Sequence, residues 1–300
     1  MSSPLDLEIG RILFTITSSC PLLPQDELPS YAEFINPPRR GGPDSEITLL
    51  PLGESVADPP AKALLFDSGS AWKVFRDGDD YLISFDSAGA NPHPFWRVRA
   101  SGDFSHCEVA CGRELVREMH GVTAIRNPVR YPLDQILLMH LLARRNGAIL
   151  HAAGATLGGR GIIFPGRSGA GKSTISACLM GRKDYSILSD DRVVVRLDGG
   201  VFKIFGTPWP GSAGIARNEK ALLSGIFFIG RGDAPRITRI DPGEAIERLL
   251  PVTSIPWYDR DLVPRALAFL EELVTRTPAF QLLFRPGPEV ADALAEFVSA

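Results

Sequence analysis

Cysteine is scarce in this 300-residue chain, long apolar runs are missing, and positive charge does not predominate. The four cysteines, Cys20, Cys107, Cys111 and Cys178, are too few and too scattered for a disulfide framework, so free thiols and a reducing compartment are expected. No run of about eighteen apolar residues is present to cross a bilayer. The opening Met1-Ser2-Ser3-Pro4-Leu5-Asp6 lacks the basic and apolar segments of a secretory leader, which predicts a cytoplasmic protein with no membrane partner. Lys and Arg number 32 against 35 Asp and Glu, a net charge of −3, so there is no bulk field to attract nucleic acid or an acidic lipid surface.

What is there is ordinary globular usage, 44% hydrophobic and 22% charged, which excludes a disordered or fibrous chain. The length favours two domains, each with its own core. The first, residues 1–130, reads as β-rich, with short strands broken by turn chemistry. Ala71 to Arg76 and Tyr81 to Phe85 flank Asp77-Gly78-Asp79-Asp80 as a hairpin, and the run from Pro37 to Pro43 is an exposed loop. The second, residues 131–300, opens on a helix buried between the domains, with Pro132 and Asp134 in its first turn and an apolar run from Ile136 to Leu142. Ala148 to Leu150 and Gly161 to Phe164 follow as paired core strands, with a turn at Gly154, Gly158 and Gly159. A helix over Thr174 to Met180, strands at Ser186 to Leu188, Val193 to Leu197 and Val201 to Phe205, and a hairpin turn at Gly199-Gly200 come next. A helix from about Leu262 to Val274, a strand from Phe280 to Phe284 and a last helix from about Pro288 to Phe297 complete the chain.

The chemistry concentrates after the second of the paired strands. Gly166-Arg167-Ser168-Gly169-Ala170-Gly171-Lys172-Ser173, followed by Thr174, fits G-x-x-x-x-G-K-[ST] between a strand and a helix. The glycines let backbone N–H groups face phosphates, the helix presents its positive end, Lys172 supplies a cation and Ser173 suits Mg²⁺. The motif therefore predicts a nucleoside triphosphate as partner. Asp190 and Asp191 close a short apolar strand, where one carboxylate suits metal and the other a proton; if desolvated together they retain one proton near neutrality, and the bland alternative is a solvated turn. His151 ends the strand Ala148 to Leu150 and shares the loop's sheet edge if the two strands pair, although a histidine at a strand end is also an ordinary structural residue.

Leu150-His151-Ala152-Ala153-Gly154, the loop GRSGAGKS and Leu188-Ser189-Asp190-Asp191-Arg192-Val193 together resemble, in order and spacing, the catalytic domain of bacterial HPr kinase/phosphorylase, which is related in fold to phosphoenolpyruvate carboxykinase. The resemblance covers roughly residues 147–205. It implies an α/β (α+β) chain in which a mixed-sheet, HPr kinase/PEP carboxykinase-like P-loop domain is preceded by the β-rich N-terminal domain. It further implies ATP and Mg²⁺ as cofactors and γ-phosphoryl transfer to a hydroxyl of a small molecule, peptide or protein. By the same resemblance His151 is an active-site histidine, Lys172 binds phosphate, Ser173 ligates magnesium, Asp191 accepts the proton, and Asp190 supports metal or base.

The chain departs from that family at Arg167, where an acidic residue is common, and it carries no copy of the later glutamate-containing signature between Phe202 and Gly230. Those departures motivate the alternative of a non-catalytic ATP-sensing regulatory or scaffold protein. Gly206-Thr207-Pro208-Trp209-Pro210-Gly211 stands in place of that signature, with Trp209 either lining a substrate mouth or packing in the core. His106, Cys107 and Cys111 lie close in sequence without a second zinc-spaced pair, which reads as structural. Arg217, Arg231, Arg236, Arg239, Arg260 and Arg265 include candidates for clamping a transferring phosphoryl group.

Overall fold

A computed structural model describes residues 3–23, 28–38, 41–53, 63–69, 72–87, 93–119 and 121–299. It is a mixed α/β structure with large mixed sheets and a minority of helix. Arg39, Arg40 and Ala71, within the expected loop and at the head of the expected hairpin, lie outside the described residues.

Two compact units divide at Leu141/Leu142. The first holds β1 (Leu5–Ile9), β2 (Ile12–Ser18), β3 (Ser45–Pro51), β4 (Leu64–Asp67), β5 (Trp72–Asp77), β6 (Asp80–Asp86), β7 (Pro94–Ala100) and β8 (His106–Cys111), in the sheet order β1-β2-β3-β8-β7-β6-β5-β4. A small hairpin of β9 (Val116–Met119) and β10 (Val122–Ile125) follows. The division falls inside α1 (Leu133–Arg144), so most of this helix, expected in the second domain, belongs with the first. Packing and polar satisfaction explain why. Asp134 is fully buried and accepts the Tyr31 hydroxyl at 2.7 Å, and the His140 ring stacks on Phe104 at 4.1 Å.

The alternation along β8 settles its cysteines. Cys107 and Cys111 point inward and are buried, whereas His106 between turn and strand is exposed, so pleating sends the histidine and Cys107 to opposite faces. Burial pushes both thiols up to about 12. Among the described residues no three His, Cys, Asp or Glu side chains gather as a metal cluster.

The second unit is built on β11 (Gly147–Leu157), β12 (Arg160–Pro165), β13 (Tyr185–Ser189), β14 (Arg192–Asp198), β15 (Val201–Phe205), β16 (Lys220–Arg231), β17 (Arg236–Ile240), β18 (Thr253–Ser254) and β19 (Ala279–Phe284). Its helices are α2 (Lys172–Leu179), α3 (Pro242–Leu249), α4 (Leu262–Arg276) and α5 (Glu289–Ser299). The sheet runs β12-β11-β14-β15-β16-β19-β17, with β12 also pairing parallel to β16. Gly161-Ile162-Ile163-Phe164 reads as a continuous apolar run because β12 is covered on both faces. Ile163 joins one core with α3 and α4, while Ile162 and Phe164 join another with α2 and α5. Helices therefore flank the sheet on both sides.

β11 is the element whose extent differs most from expectation. Instead of turning at Gly154 it continues to Leu157, and the turn sits at Gly158-Gly159, both at positive φ. Gly154 is there for space: a Cβ would lie 2.6 Å from Cγ1 of the fully buried Val193. β16, β17 and α3 were not expected from the sequence pattern.

Two outcomes follow. Gly154→Ala is expected to destabilise the protein by about 1–3 kcal/mol through overpacking, measured by urea unfolding; an unchanged midpoint would contradict the close approach. Iodoacetamide should alkylate Cys20 and Cys178, which are partly exposed, well before Cys107 and Cys111 in native protein at neutral pH, as followed by mass spectrometry of tryptic peptides.

Candidate functional site

Strand register brings the residues of this site together. The N-terminal half of β11 pairs with β14 and places His151 opposite Arg192; the C-terminal half pairs with β12 and begins with Ala152 opposite Pro165. His151 thus stands where the long strand changes partners, with the β13–β14 turn on one neighbour and the glycine-rich loop on the other. Its carbonyl accepts the Gly166 N–H at 3.0 Å, which anchors the start of the loop to the strand.

The loop closes tightly. A Cβ on Gly166 would approach Ala170 Cβ to 2.6 Å, and Gly169 and Gly171 adopt φ of 83° and 100°, a region that side-chain-bearing residues rarely occupy. Gly171 is the N-cap of α2, so the first N–H groups of that helix have no side chain covering them. Arg167, Ser168, Gly169 and Ala170 are exposed.

Lys172, the first residue of α2, is only 6% exposed. Its ammonium donates to the Gly166 and Arg167 carbonyls at 2.9 and 3.2 Å and lies 3.9 Å from Asp191 Oδ1. Burial lowers its pKa, opposed by the Asp191 charge and reinforced by Arg192. Ser173 is exposed and its hydroxyl meets that of Ser212 at 3.1 Å; Thr174, next along the helix, is half-buried.

Asp191 is held between a histidine and an arginine. Oδ1 accepts a 2.8 Å hydrogen bond from His151 Nε2, and Oδ2 accepts one of 2.6 Å from the Arg192 guanidinium. Burial alone would raise its pKa, but the His151 hydrogen bond and the charges of Arg192, His151 and Lys172 prevail and hold it below the ordinary carboxylate value. Asp191 is therefore ionised at neutral pH and retains no proton, contrary to the reading of two acids desolvated together. Adjacent positions in a turn send the two side chains to different partners. Asp190, 1% exposed, accepts the Gly211 N–H on Oδ1 at 2.8 Å and the Ala213 N–H on Oδ2 at 2.7 Å. That grip fixes the segment that carries Ser212 to Ser173.

The structure thus brings His151, Lys172 and Asp191 into one cluster at the glycine-rich loop and gives Asp190 a separate task in the 211–213 segment. Sequence reasoning assigned no site role to Arg192 or Ser212. Arg192 was legible only as the neighbour of Asp191, and Ser212 carries no motif. Trp209 is buried at 4% exposed, so it packs inside and does not line a mouth.

The residues present fit a polyphosphate. A buried ammonium held by two neutral carbonyls, uncovered helix N–H groups and a glycine-shaped loop are donors in search of anionic oxygen. An exposed hydroxyl at Ser173 suits a hard cation.

No family model matches the chain, and no curated protein matches it. Among solved structures it is similar to that of the Hpr(Ser) kinase/phosphatase from Coxiella burnetii, at TM-score 0.28 and 10% identity, over 50% of this chain and 88% of that one.

Replacing Asp190 by Asn puts an amide N–H₂ against one of two backbone donors. A loss of about 1–3 kcal/mol in unfolding free energy is expected, together with faster amide hydrogen exchange at Gly211 and Ala213. Unchanged exchange at those two amides would contradict the anchoring role.

Proposed function

We propose that the chain is an ATP- and Mg²⁺-dependent, HPr kinase-like phosphotransferase that moves the γ-phosphoryl group to a serine-type hydroxyl of a small molecule, peptide or protein. The observation that carries this reading is the convergence of His151, Lys172 and Asp191 beside a loop shaped for phosphates. The loop amides and Lys172 hold the β- and γ-phosphates, Lys172 exchanging its carbonyl partners for phosphate oxygens. Ser173 would hold Mg²⁺, which when bound would neutralise phosphate charge. Asp190 serves by fixing the segment opposite Ser173.

The acceptor hydroxyl donates its hydrogen bond to Asp191. Its oxygen forms a bond to the γ-phosphorus as the bond from that phosphorus to the β–γ bridging oxygen breaks; ADP departs and the proton passes to Asp191. A carboxylate held below its ordinary pKa is a weak base, so its larger contribution is orientation of the nucleophile. His151 fixes the Oδ1 direction and Arg192 the Oδ2 direction. The ATP-sensing reading is supported by the same fact, since both oxygens of Asp191 are engaged.

Incubation with labelled ATP, Mg²⁺ and a panel of free serine, peptides and proteins separates the two. Transfer to at least one acceptor is expected, with Asp191→Asn lowering kcat by about 10²–10⁴-fold. Bound ATP with no transfer to any acceptor would favour the sensor.

A further inference from the structure

Ser212 stands exposed at the tip of a segment that is tied down on both sides, and it is the one residue of Pro210-Gly211-Ser212-Ala213-Gly214 whose side chain can hydrogen-bond. On the way in, Thr207 is fully buried with its hydroxyl donating to the Arg192 carbonyl at 2.7 Å, and Trp209 packs inside. On the way out, Ile215 packs against the core that holds α2, Ala216 bridges to Ser189, and the Arg217 N–H donates to the Leu188 carbonyl at 3.0 Å.

At the tip, the two amides that flank Ser212 are the two that Asp190 holds. Gly211 leaves no room for a side chain, since a Cβ there would lie 2.8 Å from Asp190 Oδ2 and 3.1 Å from Asp191 Cβ. A buried carboxylate thus commits both of its oxygens to keeping one serine in place.

The hydroxyl so presented meets that of Ser173 at an oxygen–oxygen distance of 3.1 Å. Hydroxyl pairs that bond only to each other ordinarily close to about 2.7–2.8 Å. Mg²⁺ takes oxygens octahedrally at about 2.0–2.1 Å, which sets neighbouring ligands about 2.9 Å apart. The two serines therefore stand near the spacing of one edge of a magnesium octahedron. Carboxylates do not compete for that edge: both oxygens of Asp190 and both of Asp191 have partners, and among the described residues no three His, Cys, Asp or Glu side chains gather. Two neutral hydroxyls bind a divalent cation weakly by themselves, so phosphate oxygens and water must complete the set.

Resting on the proposed function, we infer that Ser212 is a second protein ligand of Mg²⁺, paired with Ser173, and that the metal is held only together with the triphosphate. Asp190 acts through Ser212, as its positioning residue.

Isothermal titration of the full chain with a non-hydrolysable ATP analogue, in Mg²⁺ and in EDTA, reads the metal's contribution as the ratio of the two affinities. In Ser212→Ala that ratio should fall about tenfold, while the affinity in EDTA changes by no more than about twofold. Ser212→Cys should lose the Mg²⁺ gain alike and recover it with Cd²⁺, a soft cation that thiolates favour, whereas Cd²⁺ restores nothing to Ser212→Ala. Ser212 is exposed, so both variants should keep the thermal midpoint and the amide exchange at Gly211 and Ala213. An unchanged ratio in Ser212→Ala, or no Cd²⁺ recovery in Ser212→Cys, would overturn the inference. So would peptide mass mapping that finds the phosphoryl group of ATP on Ser212, which would make it an acceptor. Each of those results leaves the proposed function standing as long as wild-type protein binds the analogue more tightly with Mg²⁺ than in EDTA; if the wild type gains nothing from Mg²⁺, both fall.

Discussion

The arrangement turns on one carboxylate. Asp191 sits in a turn between two strands of the same sheet, and the long strand opposite places His151 against it. Arg192 and Lys172 supply further positive charge, so a half-buried acid stays ionised despite its desolvation. Taking away that charge balance would leave a buried ammonium at Lys172 facing only carbonyls, and burying an unpaired ion is costly. The loop conformation, the lysine and the acid are therefore mutually dependent. The double coverage of β12 by two separate cores makes the loop's starting point rigid.

Rigidity on both sides of the loop has a chemical purpose under the proposed reaction. Phosphoryl transfer asks little covalent chemistry of a protein and much positioning. His151 and Arg192 each hold one oxygen of Asp191, and Asp190 holds the 211–213 segment with both of its own. Two adjacent acids thus divide the labour: one is held by His151 and Arg192 beside the loop lysine, and the other is committed to the 211–213 segment.

Much of the core was legible from residue pattern. The apolar run at Gly161 to Phe164 followed by glycines and Lys172 fixed a strand, a loop and a helix start, and the Gly199-Gly200 turn lies between β14 and β15 as expected. The extent of β11 was not legible because Gly154 resembles a breaker until Val193 is known to fill the space above it. α3 carried a readable signal, Asp241 capping the Glu244 N–H ahead of Pro242, but its short amphipathic pattern is ambiguous alone. At the site, residue types were readable and partners were not. That His151 meets Asp191 depends on a register spanning forty residues, and no local pattern encodes it. Ser212 gained meaning only from neighbours distant in the chain.

The central claim is that Lys172 and Asp191 face the terminal phosphate of a bound nucleotide. A crystal structure with a non-hydrolysable ATP analogue and Mg²⁺ addresses it most directly. The account predicts the γ-phosphate in contact with the Lys172 ammonium and bordered by the Asp191 carboxylate, with the loop amides around the β-phosphate. A nucleotide bound elsewhere, with Lys172 still donating to Gly166 and Arg167, would contradict it.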